Sequence, residues 1–206
     1  MLTLRNETAE QHRLAEQQEF QQQMVRGSLP QADYIRWLGQ MLHLHVALEE
    51  ELEDLVRSRP TLAGLFEEDR RKVPALRRDL AHFGSPAEEP PLAATSALIE
   101  EIRHLAAVRP LALLGLYYVL EGSTNGSRYI ARKVRPAYGL APGQDGAAYL
   151  EPYGDDQPAR WAAFKAEMDR LTFSTEELRE LVAAARMTFD GIRLMGAALM
   201  PEVAGR

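Results

Sequence analysis

The sequence predicts an all-α protein, and three observations carry that prediction. Apolar side chains recur at intervals of three and four residues along nearly every long stretch, which is the spacing of one helix face. Ala, Leu, Glu, Arg and Gln, which favour helices, dominate the composition. Gly and Pro concentrate between the periodic stretches, where they end helices. No internal repeat or low-complexity tract divides the chain, so we expect one helical domain over residues 1–206.

Helix boundaries follow from start and stop signals in chain order. The first helix runs over residues 3–26 and ends at Gly27. The second begins near Pro30, a proline suited to a first helical turn, and carries one apolar stripe as far as Pro60. The breaker SPAEEPP separates the next two helices, and Pro110 opens a fifth. These three helices cover residues 70–83, 95–108 and 110–134.

The last third of the chain contains a connection and two helices. Residues 137–158 are rich in turn formers, which predicts a long surface connection. A helix is expected to follow over residues 159–171. Ser174, with Glu177 at the capping-box position, then starts a final helix that reaches about residue 199.

Composition and charge exclude several classes of protein. The 206 residues carry 24 Lys and Arg against 30 Asp and Glu, a net charge of −6, which argues against broad nucleic-acid binding. The chain has no cysteine, which excludes disulfides and thiolate metal sites and favours a reducing, cytoplasmic location. The N-terminal segment is polar by Arg5, and the longest apolar run, residues 110–120, is shorter than the roughly 20 residues that span a membrane. Neither export nor membrane insertion is expected.

The segment EGSTNGSR, residues 121–128, contains six poor helix formers in a row and follows an apolar run. Keeping it helical costs roughly 4 kcal/mol relative to alanine, with about 1 kcal/mol for each of Gly122 and Gly126. The two glycines are four residues apart, so both would lie on one face, where a flat ligand or another backbone can approach the helix axis closely. The alternative is a surface turn between two helices.

Arg5, Thr8, His12 and Glu16 lie at offsets of three, four and four, so they form one stripe on the first helix. The imidazole of His12 can bind a metal or heme iron, and Glu16, one turn later, can accept the other ring proton. Arg5 lies about 10 Å from His12 along the helix, where it can pair with an anion. The alternative is that His12 is a half-exposed surface histidine in a polar helix.

Two segments resemble the heme oxygenase family: ETAEQHRLAE near the N-terminus and YYVLEGSTNGSRYIARK near the middle. The resemblance implies an all-helical heme oxygenase-like bundle, in which His12 on an early helix is the proximal ligand of heme iron. It also implies that the helix with Gly122 and Gly126 lies across the other heme face. The order of the segments, their separation and the chain length agree with this, and Arg186 and Phe189 resemble the family's C-terminal helix.

Position by position, the resemblance implies further site residues. Arg5 and Lys165 fall at basic positions that pair with the heme propionates and fix the in-plane rotation of the heme. Tyr117 matches an aromatic position of the distal helix, and Phe189 matches a ring that packs on the porphyrin. For both aromatic residues core packing is the alternative, because they lie at helical spacing in apolar stretches. The expected heme-binding residues are Arg5, Thr8, His12, Glu16, Tyr117, Lys165 and Phe189.

The glycine segment departs from the family pattern at two positions. Ser123 stands where well-studied members have an aspartate directly after the first glycine, and Gly126-Ser127 stands where they have two glycines. That aspartate holds the water network that delivers protons to iron-bound oxygen, and a neutral serine holds water less strongly. Some bacterial relatives with serine here are active, so Gly122, Ser123 and Gly126 are the expected catalytic residues.

The activity that the resemblance implies is that of a heme oxygenase. Such an enzyme opens the ring of free heme to biliverdin and releases carbon monoxide and ferrous iron. It uses dioxygen and electrons from an external donor such as a ferredoxin or a reductase. Heme is then both substrate and cofactor, and the protein supplies the iron ligand, a restricted distal face and ordered water.

Two other functions stay open from the sequence alone. A heme carrier or sensor would keep the pocket without turnover. A carboxylate-bridged di-iron protein on a helical scaffold needs inward-facing Glu-x-x-His pairs, and Glu101 with His104 and Asp79 with His82 have that spacing. Against the di-iron alternative, arginines crowd both pairs and both segments are typical of solvent-exposed faces.

Overall fold

The computed structural model describes residues 1–85 and 89–200, and within these ranges it contains helices and no strand. The α-helices in chain order are α1 (Leu2–Glu7), α2 (Ala9–Gln17), α3 (Glu19–Arg26), α4 (Gln31–Ser58), α5 (Val73–His82), α6 (Ala93–Val108), α7 (Leu113–Ala137), α8 (Gln157–Arg170) and α9 (Thr175–Leu199). Short 3₁₀ helices cover Pro60–Leu65, Glu68–Arg70, Pro110–Ala112, Ala148–Leu150 and Gly154–Asp156. The all-α prediction is confirmed.

Four long helices enclose the core. α7 packs along α9, α4 packs along α6, and α6 also contacts α9. α7 and α9 come so close that a Cβ at Gly115 would collide with the carbonyl oxygen of Leu181, so only glycine permits this crossing. α2 and α3 lie over α9 and α7 on one side of this core.

The predicted helix over residues 3–26 is wrong as one continuous element, because the chain forms three shorter helices there. At Thr8 the hydroxyl donates to the carbonyl oxygen of Leu4, and the backbone leaves the helical region at φ −111° and ψ 4°. At Gln18 the backbone is extended, and its side chain accepts a hydrogen bond from the N–H of Gln21. These local bonds compete with helix continuation. They set α2 apart as a short helix with no buried residue.

The segment EGSTNGSR is helical, so the surface-turn alternative is wrong. Its four Ser, Thr and Asn side chains each donate to the carbonyl three residues earlier: Ser123 to Leu120, Thr124 to Glu121, Asn125 to Gly122 and Ser127 to Thr124. Tertiary contacts also hold the segment, since Gln157 donates to Thr124 and the Ser127 hydroxyl donates to Leu150. The contacts offset the poor helix propensity of this stretch.

The connection over residues 137–158 was predicted to lie on the surface, and that is wrong for its second half. Tyr149 and Leu150 are buried against the core. The carboxylate of Asp79 on α5 anchors this stretch by accepting the backbone N–H groups of Gly146, Ala148 and Tyr149 at 2.7, 2.9 and 2.8 Å. A carboxylate that satisfies three backbone donors fixes a connection whose regular structure here is limited to short 3₁₀ helices.

The other predicted helices are present with shifted ends. α5 begins at Val73 rather than at residue 70, because a separate 3₁₀ turn takes Glu68–Arg70. The capping box at the start of α9 is confirmed, with reciprocal bonds between Ser174 and Glu177. Arg186 on α9 binds the carbonyl and the carboxylate of Glu7 and so ties α1 to the core. Within the described ranges no helix is long and apolar enough to cross a bilayer.

Candidate functional site

A cavity of about 750 Å³ lies between α2 and α3 on one side and α7 on the other. Its volume is typical of a site for a large organic molecule. α9 and the Ala148–Leu150 turn complete the walls. The apolar lining includes Phe20, Trp37, Met41, Val119, Ile130, Phe189 and Ile192.

His12 presents an accessible imidazole at this cavity. It lies on α2, its side chain is 58% exposed, and its ring meets the ring of Phe189 edge to face with centroids 5.5 Å apart. Nδ1 lies 3.6 Å from the Oε2 atom of Glu16, which also lines the cavity. An accessible imidazole at the wall of a cavity, with a carboxylate near its other nitrogen, is suited to bind the metal ion of a ligand.

α7 contributes the opposite wall. Gly122, Ser123 and Gly126 all line the cavity, so the structure brings these three residues together with His12. A Cβ at Gly126 would have no atom within 4 Å. The hydroxyl of Ser123 donates to the carbonyl of Leu120 at 2.7 Å, so its proton is directed into the helix.

Four of the sequence-predicted residues lie outside this cavity lining. Thr8 is buried and bound to Leu4, and Tyr117 is buried with its hydroxyl donating to the carbonyl of Leu65 at 3.1 Å. Arg5 and Lys165 are exposed on the surface. The buried hydroxyls of Thr8 and Tyr117 are satisfied by bonds within the protein, as is usual for residues with a structural role.

Lys165 lies near a pair of aromatic rings rather than in the cavity wall. Its Nζ atom lies 5.8 Å from the ring centroid of Trp161, and the rings of Trp161 and Tyr118 have centroids 5.8 Å apart. Burial raises the pKa of Tyr118, and the charge of Arg5 opposes that rise.

Two basic residues in the cavity wall were missed from the sequence. Lys133 lies on α7 and Arg193 on α9. The Nε atom of Arg193 is buried and has no hydrogen-bond partner in the described part of the chain, its closest carboxylate oxygen being that of Asp190 at 3.8 Å. A signal was present: Lys133 follows Gly126 by seven residues and Arg193 follows Phe189 by four, so each shares a helix face with a predicted residue.

A buried polar cluster lies behind the cavity. Glu121 accepts hydrogen bonds from Arg70 at 2.8 Å, from Lys72 at 2.9 Å and from the hydroxyl of Tyr153 at 2.8 Å. Burial lowers the pKa of Lys72, although Glu121 opposes this. Glu121 is the first residue of the glycine segment, so these bonds hold the start of the segment in place. Removing one partner would leave a buried charge without compensation, which is strongly destabilising.

A second buried group, on α4, reaches the cavity through Tyr149. Tyr149 lines the cavity, and its hydroxyl oxygen lies 3.0 Å from the Nε2 atom of the buried His45. Nδ1 of His45 lies 3.7 Å from Glu49, whose carboxylate accepts the backbone N–H groups of Lys72 and Val73. Burial lowers the pKa of His45, although Glu49 acts in the opposite direction. The sequence pattern gave no indication of Tyr149, because it lies in the irregular connection.

The residues of the di-iron alternative do not form a site. Asp79 is buried and holds backbone N–H groups, so the prediction that it lies on a solvent face is wrong. His82 and His104 are exposed. Among the residues with described positions, no group of three or more His, Asp or Glu side chains is placed to hold a metal ion.

Comparison with known proteins adds to this geometry. The sequence model of a family described as heme oxygenase matches residues 1–195. A heme oxygenase of Xanthomonas campestris pv. campestris is 31% identical over 170 residues, which is 82% of this chain and 91% of the relative.

Two solved structures share the fold. Heme oxygenase 1 of the cyanobacterium Synechocystis, solved in complex with heme, superposes with a TM-score of 0.86 at 24% identity and covers 95% of this chain and 90% of its own. The heme oxygenase of Leptospira interrogans superposes with a TM-score of 0.84 at 23% identity and covers 95% of this chain and 97% of its own.

Proposed function

Because this chain belongs to the heme oxygenase family, we propose that it binds heme in the cavity between α2 and α7 and opens the ring oxidatively. The products are biliverdin, carbon monoxide and ferrous iron. The observation that carries the proposal is the position of His12, which faces a cavity whose opposite wall is the glycine segment of α7.

The residues of the cavity fit heme. Its volume of about 750 Å³ and its apolar walls suit a large flat macrocycle, and one imidazole is available to the iron. The buried Nε of Arg193 lacks a hydrogen-bond partner among the described residues, which is expected where an anionic group of a ligand binds. Gly126 leaves open space at the wall, so a flat molecule can lie against the α7 backbone.

His12 is the residue that would hold the iron. Glu16 lies near its Nδ1 atom and would accept the proton of that nitrogen, which leaves Nε2 free to ligate. Phe189 packs against the imidazole edge and limits its rotation. Bound heme supplies the iron that activates dioxygen, and its own ring is oxidised.

Lys133 and Arg193 are better placed than Arg5 and Lys165 to pair with the heme carboxylates, because only the first pair lines the cavity. Charge-assisted hydrogen bonds to carboxylates are the strongest polar contacts available there. The cations that hold the carboxylates set the in-plane rotation of the ring, and that rotation decides which edge is oxidised.

The glycine segment would act by shape and by accepting hydrogen bonds. Ser123 and Ser127 line the cavity and direct their hydroxyl protons to carbonyl oxygens of the protein, so their oxygens remain available only as acceptors. Gly126 keeps the wall free of a side chain. These residues would hold water on the α7 side and restrict the room available to the oxidant.

An external protein would supply the electrons, because the chain has no cysteine for an iron–sulfur cluster. A ferredoxin or a flavin-containing reductase has the required chemistry. A reducing cytoplasm is the compartment in which such a donor and a cysteine-free chain are expected together.

The test is a spectroscopic titration of the purified protein with hemin, followed by addition of a reductant in air with catalase present. We expect one hemin per chain, the Soret band of a histidine-ligated ferric heme, and then conversion to biliverdin with release of carbon monoxide. His12→Ala should lose the histidine-ligated spectrum, and added imidazole should restore it.

His104→Ala is the matched control, because His104 is exposed on α6 and does not line the cavity. It should bind hemin as the unmodified protein does. An unchanged spectrum in His12→Ala would assign the ligand to another histidine. Hemin binding without bilin formation, with several electron donors tried, would leave a heme-binding protein and refute the enzymatic proposal.

A further inference from the structure

Three polar side chains of α7 are bonded to residues 148–157, a stretch that we call the strap. The three lie at intervals of three residues, so they form one line along the helix. The bonded pairs are Glu121 with Tyr153 at 2.8 Å, Thr124 with Gln157 at 2.6 Å and Ser127 with Leu150 at 2.5 Å. The strap therefore contacts the glycine segment along almost its whole length.

The cavity side of the glycine segment gives the helix little support in the ligand-free protein. A Cβ at Gly126 would meet no atom within 4 Å, so no neighbouring element packs on the backbone there. The composition of the segment also disfavours a helix, and its internal side-chain bonds reach only the preceding turn. Contacts on the strap side are therefore needed to fix this wall of the cavity.

The strap is itself firmly held and can act as a support. Asp79 on α5 accepts two of its backbone N–H groups, at 2.9 and 2.8 Å. Arg135, near the end of α7, forms an ion pair with Glu151. Leu150 and Gln157 are 1% and 2% exposed, so water does not compete for the bonds that they make to α7.

Gln157 makes the central contact of the three. Its Nε2 atom donates to Thr124 Oγ1 at 2.6 Å and lies 3.4 Å from Oδ1 of Asn125. Thr124 and Asn125 lie between the two glycines, and in the described ranges no other side chain from outside α7 is hydrogen-bonded to them. The Thr124 hydroxyl gives its proton to the carbonyl of Glu121, so its oxygen can only accept, and the amide of Gln157 supplies the donor.

We propose that Gln157 is a positioning residue for the reaction, because it holds the α7 wall at a fixed distance from the bound ring. This inference rests on the proposed function, since the ring is that of heme. With the wall fixed, the backbone at Gly126 borders a space of constant width, which restricts the room in which the oxidant can lie. Gln157 passes neither a proton nor an electron.

Amide hydrogen exchange in the ligand-free protein tests whether Gln157 holds the wall. Gln157→Met keeps the length of the side chain and removes the donor. The amides of residues 122–127 should then exchange about tenfold faster relative to those of α9, the change expected for one lost hydrogen bond.

Gln40→Met is the matched control. Gln40 is 1% exposed and accepts the backbone N–H of Leu92 at 2.8 Å and the hydroxyl of Thr95 at 2.7 Å, but it does not line the cavity. This variant also removes a buried amide, so it measures the effect of lost stability alone. It should leave the exchange of residues 122–127 relative to α9 unchanged.

Thr124→Val tests the same bond from its other end, because it removes the acceptor and keeps the branched shape of the side chain. It should also speed exchange over residues 122–127. Adding Gln157→Met to Thr124→Val should speed it no further, since the bond is already lost. Exchange in Gln157→Met equal to that of the unmodified protein, or additive effects in the double variant, would overturn the proposal.

The hemin complex gives a readout that a merely structural role would not move. Carbon monoxide added to the reduced complex has an infrared stretching band that reports the surroundings of the ligand above the ring. This band should shift and broaden in Gln157→Met and stay unchanged in Gln40→Met. Bilin formation in Gln157→Met should fall by about tenfold to 100-fold at nearly unchanged hemin affinity.

An unshifted band, or bilin formation equal to that of the unmodified protein, would also overturn the positioning role of Gln157. If the unmodified protein binds hemin but forms no bilin, the proposed activity fails, and the band and the exchange rates still decide that role. The exchange measurement needs no heme, so it decides whether Gln157 holds the wall even in a protein that binds none.

Discussion

Gly122 and Gly126 lie one turn apart on α7, but the space that a side chain would enter is occupied at Gly122 and open at Gly126. A Cβ at Gly122 would lie 3.3 Å from the ring of Trp161, whereas a Cβ at Gly126 would meet no atom within 4 Å. Gly122 is therefore kept small by a neighbouring helix, and Gly126 borders open space at the cavity.

Replacing Gly126 should affect folding and binding in opposite directions. Gly126→Ala should stabilise the ligand-free protein by up to about 1 kcal/mol, because alanine favours a helix and the new methyl group meets nothing. The same methyl group narrows the heme site, so hemin affinity should fall, and Gly126→Leu should lower it further. Urea unfolding and hemin titration measure the two effects.

Gly39→Ala is the matched control for this prediction, because Gly39 on α4 also has open space at its Cβ and does not line the cavity. It should gain stability and bind hemin normally. In Gly122→Ala the contact with Trp161 should cancel part of the propensity gain. Normal hemin affinity in Gly126→Leu would place the bound ring away from α7.

The cations of the cavity wall should determine hemin affinity. We expect Lys133→Met and Arg193→Met each to weaken hemin binding by about tenfold, since each removes a charge-assisted hydrogen bond. Hemin dimethyl ester, which lacks the two carboxylates, should bind equally to both variants and to the unmodified protein. Arg5→Met and Lys165→Met should lower hemin affinity less. A larger loss of affinity in these two variants would show that Arg5 and Lys165 pair with the heme carboxylates, as the family resemblance implies.

Stability should depend on pH through His45. Burial lowers the folded-state pKa of His45 from its ordinary value of 6.5, so the unfolded chain binds a proton at a higher pH than the folded chain does. The free energy of unfolding should therefore be at its full value above pH 6.5 and should fall as the pH decreases toward the lowered pKa. Urea unfolding at about pH 7.5 and pH 5.5 measures the loss, and His45→Gln should show less of it.

Ser123 should contribute little to proton delivery. Its hydroxyl donates to the carbonyl of Leu120 at 2.7 Å, so Ser123→Ala removes a local helix bond and an acceptor rather than a proton donor. Bilin formation should fall far less than the roughly 100-fold expected when a positioned acid is lost. A loss of about 100-fold or more, with hemin binding intact, would assign the proton donor to the glycine segment.

The local pattern of the sequence is enough to predict the fold class, and it also gives several candidate site residues that line the cavity. Apolar spacing is a local property of the chain, so it located the long helices and the capping box of α9. The spacing of His12 and Glu16, and of Gly122 and Gly126, indicated the two walls of the cavity because residues four apart share a helix face.

Which distant residues meet depends on tertiary contacts that no local pattern contains. The helix breaks at Thr8 and Gln18 coincide with single side-chain hydrogen bonds. Helix propensity and apolar periodicity are averaged over many residues, so they do not detect such bonds. The helical state of EGSTNGSR depends on contacts such as Gln157 with Thr124, which outweigh propensity. Tyr149 reaches the cavity because Asp79, 70 residues earlier, holds its backbone, and no local pattern encodes that contact.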